Sequence, residues 1–376
     1  MRFPEFSGEW TKTTLGKIGN TFNGLTGKSG ADFGQGSPYI TYKSIFDSSR
    51  IDLSRVEFVT ITDQERQKET QNKVQFGDIF FTTSSETPEE VGMTSVLLDD
   101  IEDCYLNSFC FGYRLFAKDK TLPEYMRFYL RNQAIRKKLF VLAQGSTRFN
   151  ISKGEVMNVS VSLPEIDEQK KIAKLLSLLE KRIDTQIKII EKLESLIKGL
   201  CQKLFRFDEC TTYFLGDICS ITTGKLDANA MVENGKYPFF TCAEEVFNID
   251  NYAFDTEALL ISGNGANLGY IHYYNGKFNA YQRTYVLDKF TIDINYIRLY
   301  LETFLKNRIE QEKNIGNTPY IVLGTLSKMK IKVPNILTQQ KIVKTLTSFK
   351  NKLSNERLAL KKYEEQKKYL LSNLFI

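Results

Sequence analysis

Two stretches of the chain carry apolar residues at alternating steps of four and three. In the first, Ile172, Leu176, Leu179, Ile183, Ile190, Leu193, Ile197, Leu200 and Leu204 fall on one stripe, interrupted by Gln186. In the second, Ile342, Leu346, Phe349, Leu353, Leu360, Tyr363, Leu370 and Leu374 do the same, interrupted by Glu356 and Lys367. A period near 3.5 predicts a coiled-coil seam along each of two long helices. Neither holds an internal proline, and only Gly199 weakens the first. About 40 residues at ~1.5 Å each extend roughly 60 Å.

The two stretches are copies. Residues 163–205 return as 333–375 without a gap, an offset of 170. Pro164/Pro334, Gln169/Gln339, Ile172/Ile342 and Leu176/Leu346 match at one end, and Lys198/Lys368, Leu204/Leu374 and Phe205/Phe375 at the other. Just before each copy, Val159, Val161 and Leu163, or Met329, Ile331 and Val333, alternate with polar residues. Period-two alternation reads as a strand, and each proline sits where a helix begins. Both copies lie in one chain, so effective concentration favours pairing them with each other. In an antiparallel pair the matching polar positions Gln186 and Glu356 meet near the crossing centre, where a buried polar contact fixes register; the alternative is that both face water.

The segments before the helices, from about 10 to 162 and from about 211 to 332, echo each other more faintly. Leu15-Gly16 with Ile18 matches Leu215-Gly216 with Ile218, and the run from Tyr125 to Leu130 matches that from Tyr296 to Leu301. Asn107, Phe109 and Tyr113 align with Asn279, Tyr281 and Tyr285, and Gly145-Ser146-Thr147 with Gly316-Asn317-Thr318. Each segment therefore reads as short strands, among them Gly77-Asp78-Ile79-Phe80-Phe81 and Ala258-Leu259-Leu260-Ile261. An amphipathic helix follows at 123–140 or 293–313, then a loop and a final strand. The expected fold is α+β. Two mixed α/β domains, 1–162 and 211–332, are joined by antiparallel helices at 163–210 and 333–376 with approximate two-fold symmetry.

Composition narrows the function. The 376 residues carry a net charge of +6, which fits a polyanionic partner without requiring one. No apolar run approaches the ~18 residues of a membrane span, and residues 1–6 show no signal pattern, so a cytoplasmic protein without membrane contact is expected. Six cysteines form no Cys-x-x-Cys and are expected as reduced thiols. A single histidine, His272, makes a histidine-based metal or catalytic site improbable. Gly263-Asn264-Gly265-Ala266-Asn267-Leu268-Gly269 looks like a phosphate loop, but a strand and not a helix follows it; a tight hairpin or a ligand-contacting turn fits better. No Walker sequence, no Asn-Pro-Pro-Tyr and no nuclease-type acidic pattern is present. No catalytic residue and no metal ligand is assigned.

Phe3-Pro4-Glu5-Phe6-Ser7-Gly8-Glu9-Trp10 and Thr14-Leu15-Gly16-Lys17-Ile18 resemble the opening of specificity subunits of type I restriction–modification systems. The Leu-Pro…Glu-Gln-Lys-Lys-Ile run at 163–172 and the Val-Pro…Gln-Gln-Lys-Ile run at 333–342 are similar to that family's two helical regions. The resemblance implies two target-recognition domains, each reading half of a bipartite sequence in double-stranded DNA. It implies helices that set the gap and dock two modification subunits, and separate restriction/translocase subunits. It also implies no activity or cofactor in this chain, with S-adenosylmethionine, ATP and Mg on the partners. Divergent domains imply an asymmetric target, and roughly 60 Å of helix bounds the spacer at ~18 base pairs.

Phosphates attract Lys, Arg and backbone N–H groups; base edges attract Arg or Lys for guanine and Asn or Gln for adenine. On loops, where such side chains belong, the DNA-binding candidates of the first domain are Lys28, Lys43, Thr83, Ser84, Arg148, Asn150 and Lys153. Those of the second are Lys225, Asn264, Asn267, Gln282, Arg283, Asn317, Thr318 and Tyr320. Gln282-Arg283 align with Cys110-Phe111, so that pair serves only one domain. Arg127 and Arg298 match, but each lies on a helix among aromatics, which favours packing or an ion pair. The competing reading is a coiled-coil scaffold that grips proteins through two globular ends.

Overall fold

The computed structural model describes residues 2–311 and 320–375. The chain forms two compact units, residues 1–187 with 359–376 and residues 188–358. Both long helices are present, Ile166–Leu204 and Ile336–Asn373, and each contributes to both units.

In the first unit, a four-stranded antiparallel sheet runs in the order Gly19–Asn23, Cys110–Leu115, Ile79–Thr82, Thr94–Val96. Gly77 adopts a positive φ of 84° and Asp78 turns with it, so the expected strand starts at Ile79 instead. A second sheet places Phe33–Ile40 between Glu57–Val59 and Tyr105–Leu106, pairing parallel with the latter. Thr11–Thr14 pairs antiparallel with Ser160–Leu163, tying the start of the domain to the strand that leads into the first long helix.

The helix expected at 123–140 is broken into Pro123–Tyr129 and Gln133–Val141. Asn132 causes the break: its side chain accepts the Ile135 N–H at 2.9 Å and caps a new helix. Tyr125 and Tyr129 of the first piece stack on each other, with centroids 5.4 Å apart, and meet the edge of Phe375.

The second unit holds one six-stranded sheet, ordered Ser220–Thr223, Thr284–Asp288, Phe254–Ser262, Ile271–Ala280, Tyr237–Phe240, Phe247–Ile249. Thr211–Phe214 pairs antiparallel with Lys330–Val333, repeating the tie of the first unit. The helix Ile294–Gln311 is continuous here, and Phe205 packs edge-on against its Tyr296, Tyr300 and Phe304.

The helix segments pair antiparallel inside each unit. In the first, Glu180 meets Lys367 at 2.7 Å and Arg182 meets the Tyr363 hydroxyl at 3.2 Å, so numbers rise on one helix as they fall on the other. In the second, Glu194 binds Arg357 at 2.6 Å, and Cys201 and Phe205 share a core with Ile342 and Leu346. Every apolar seam position is buried or half-buried. Gln186 is 3% exposed and Glu356 half-buried.

The matched glutamines explain themselves physically. Gln169 donates to the carbonyl of Pro164, and Gln339 to that of Pro334, each at 2.9 Å. Each side chain satisfies a carbonyl at the joint between strand and helix. The helices begin two residues after these prolines rather than at them.

Candidate nucleic-acid interface

The same three loops meet in both domains, held by the same backbone bonds. In the first, the strand Ile79–Thr82 ends at Thr83, whose N–H donates to the Phe109 carbonyl at 3.0 Å. The Thr83 carbonyl accepts the Ile151 N–H at 2.9 Å, and Ser84 pairs with Asn150. In the second, the strand Phe254–Ser262 ends at Gly263, whose N–H donates to the Arg283 carbonyl at 2.9 Å. Its carbonyl accepts the Ile321 N–H at 2.8 Å, and Asn264 bridges to Tyr320.

These bonds correct the alignment drawn from sequence. The N–H of Asn107 donates to the Ile40 carbonyl, and that of Tyr281 to the Phe240 carbonyl. Asn107 therefore corresponds to Tyr281, not Asn279. Phe109 corresponds to Arg283, and Gln282 to Ser108; Gln282-Arg283 do not match Cys110-Phe111. Matching Asn107 to Asn279 by letter shifted that region by two residues. The corrected match pairs Ser84 with Asn264 and Asn150 with Tyr320.

The first-domain candidates divide by environment. Arg148 is exposed on the loop that Gln144 and Asn150 close with two backbone bonds of 2.8 and 2.9 Å. Gly145, at a φ of 134°, makes that tight closure possible. Arg148 lines a cleft of about 330 Å³ with Tyr42, Phe46, Ser84, Glu90 and Phe109. Asn150 is exposed beside it. Thr83 spends its hydroxyl on the Phe109 carbonyl at 2.7 Å, and Ser84 is 9% exposed, its carbonyl accepting the Tyr42 hydroxyl at 2.6 Å. Lys153 bonds the Asn23 side chain and lies over the Phe111 ring; burial lowers its pKa. Two candidates lie apart from the loops. Lys28 pairs with Glu65 at 2.7 Å, its side chain only 7% exposed, and Lys43 lines a separate cavity with Asp47, Asp52 and Arg55.

The short helix Tyr42–Asp47 is fixed under the cleft by Arg131, which donates to the carbonyls of Ile45, Phe46, Ser48 and Thr94. Burial pushes the Arg131 pKa down to about 10. Arg127 is bound to Glu180 and Ser49, and Arg298 to Glu302 at 3.1 Å, so both make the ion pairs their positions suggested.

In the second domain, Lys225 and Arg283 are exposed, Asn264 half-buried and Tyr320 59% exposed. Gln282 is clamped by its backbone to Leu226 at 2.9 Å and by its side chain to Asp227 at 2.8 Å. Asn267 lies in the turn of the hairpin between Phe254–Ser262 and Ile271–Ala280 and donates to the Cys242 carbonyl of a neighbouring loop at 3.3 Å. Asn317 and Thr318 lie outside the described residues. Phe109, 60% exposed at the centre of the first cluster, escaped the sequence reading. A phenylalanine carries no polar signal, and only the backbone bonds reveal that it shares a place with Arg283.

Among the described residues, no group of three His, Cys, Asp or Glu side chains is placed to hold a metal. His272 rests 2.9 Å from the Ala243 carbonyl and packs on Phe240 and Tyr270. No described helix is long and apolar enough to cross a membrane.

The model of the type I restriction modification DNA specificity domain matches twice, over residues 7–195 and 208–362. The chain belongs to this family. Among similar members is the type I restriction enzyme EcoDI specificity subunit of Escherichia coli, 43% identical over 36% of this chain and 30% of that one. A putative type I specificity subunit of Mycoplasma pneumoniae is 32% identical over 42% of this chain and 44% of that one. The chain thus spans less than half the length of these two curated relatives. In fold, it resembles the solved S subunit of a type I system from M. genitalium over 100% of this chain and 99% of that one. The TM-score is 0.67 and the identity 17%. An HsdS subunit from Thermoanaerobacter tengcongensis aligns over 98% and 97% with a TM-score of 0.50 and 16% identity.

Proposed function

We propose that this chain is the non-catalytic DNA-reading subunit of a type I restriction–modification enzyme, working in the cytoplasm. Residues 1–162 and 211–332 are its target-recognition domains, each reading half of a bipartite, asymmetric site. The spacer helices, 163–210 and 333–376, set the distance between half-sites and dock two modification subunits, with Gln186 and Glu356 fixing their register. S-adenosylmethionine, ATP and Mg serve the modification and restriction subunits.

One observation carries this reading: Thr83 and Gly263 make the same backbone bonds, yet the side chains around them differ. One scaffold presenting two sets of side chains suits a reader of two different half-sites. Arg148, Asn150, Lys225, Asn264, Arg283 and Tyr320 are the foremost DNA contacts. Lys43, Lys153, Asn267, Gln282, Asn317 and Thr318 supply further ones, while Lys28, Thr83 and Ser84 act from behind, holding the loops.

Sequencing genomic adenine methylation with the gene intact and deleted tests the reading. Loss of one split, asymmetric motif on deletion supports it. An unchanged methylome, with the gene and its partners expressed, sinks it in favour of a protein-gripping scaffold. Binding gives a second check: neutralising ~6–10 phosphates costs ~10³–10⁵ in affinity between 50 and 200 mM salt.

A further inference from the structure

Phe109 and Arg283 occupy one structural position, and each is presented from a pinned backbone. The Phe109 N–H donates to the Asn107 side chain at 2.8 Å, and its carbonyl takes both the N–H and the hydroxyl of Thr83. The Arg283 carbonyl is held by Gly263, and its neighbour Gln282 is clamped at both ends to Leu226 and Asp227. Each side chain nevertheless points into solvent, Phe109 at 60% exposure and Arg283 exposed. A rigid pedestal under an exposed side chain is what readout requires, because little ordering remains to be done on binding.

The two side chains differ in what they can read. A guanidinium bonds the O6 and N7 of guanine in bidentate fashion; a phenyl ring has no donor, and its favourable contact in the major groove is the thymine methyl. Resting on the functional reading above, we propose that this shared position determines one base pair in each half-site. Phe109 selects a thymine in the first half, and Arg283 selects a guanine in the second. Arg148, beside Phe109 at the cleft, anchors a neighbouring phosphate or base.

The test is the methylated motif in cells carrying the full system with the wild-type chain or with Phe109→Ala, Phe109→Leu, Arg283→Ala or Arg283→Lys. The ring and the guanidinium are exposed, so the substitutions leave the core untouched. Phe109→Ala should relax one A·T position of the first half by about tenfold, and Phe109→Leu should largely keep it. Arg283→Ala should relax one G·C position of the second half alone, with partial retention in Arg283→Lys. A split motif that persists in every variant with each position unchanged overturns this inference and leaves the DNA-reading function standing. Uniform loss across all sequences by Arg283→Ala overturns it too, marking a phosphate contact. Absence of any split motif in the wild type overturns both.

Discussion

Glu180 and Lys350 stand at the same position of the two helix copies and carry opposite charges. Glu180 receives Arg127 from the first domain and Lys367 from the second long helix. Lys350 binds Glu302, which also holds Arg298 at 3.1 Å. Each domain is thus keyed to its own stretch of helix by a pair of reversed sign. The two pairs differ in weight: the Arg127 and Glu180 side chains are 10% and 16% exposed, against 33% and 24% for Lys350 and Glu302. Removing Glu180 strands a nearly buried guanidinium, whose pKa burial already lowers. Glu180→Gln should cost about 3 kcal/mol, and Lys350→Met no more than about 1 kcal/mol. Urea unfolding of the two variants would show the difference, and equal losses would refute it.

Gly24 and Gly224 form a second matched pair. A Cβ on Gly24 would strike the Asn107 carbonyl, and one on Gly224 the Ala280 carbonyl. Alanine at either should destabilise its own unit by about 1–3 kcal/mol. Hydrogen exchange can read this unit by unit, with protection falling only where the substitution lies.

Lys28 and the Thr62 backbone hold the Glu65 carboxylate down at about 2. A depressed carboxylate contributes stability that is present above its unfolded value, near ~4.3, and is lost as pH falls through about 2. Carboxylate titration by NMR should find Glu65 well below the usual range. Lys28→Met should move it back up and flatten this acid-side dependence. An unmoved midpoint would assign the shift to the Thr62 contacts instead.

All six cysteines are free thiols, as the spacing suggested. Cys210 is exposed and Cys242 half-exposed, while Cys104, Cys110, Cys201 and Cys219 are buried. Burial pushes Cys104 and Cys219 up to about 12 and Cys110 higher still. A thiol reagent near neutral pH should label two residues quickly and four only on unfolding, since the thiolate is the nucleophile. Rapid labelling of Cys104 or Cys110 would contradict the packing beneath the first loop cluster.

The long helices were legible because a heptad stripe is a long, redundant signal, and the closing strands because they recur at the same offset. The break at Asn132 was not: no proline or glycine marks it, and a capping asparagine looks like any polar surface residue until its side chain turns back on the backbone. Pairing loop position with chemistry led to Arg148, Asn150, Asn264, Arg283 and Tyr320, which the fold places at the two loop clusters. Lys28 and Lys43 were named by the same reasoning, which could not say that Glu65 pairs with the one or that the other lines a separate cavity. Phe109 was aligned but not chosen as a candidate, having no charge to notice.

The division of the chain has a consequence for how it is made. The second unit is one uninterrupted stretch, residues 188–358, and all of it has been translated before the last helical turns are. The first unit, although synthesised first, closes its core with Leu370, Leu374 and Phe375. Until those residues emerge, Tyr125 and Tyr129 lack the ring that covers them. The earlier domain is therefore finished last, and until then it presents an open, sticky face.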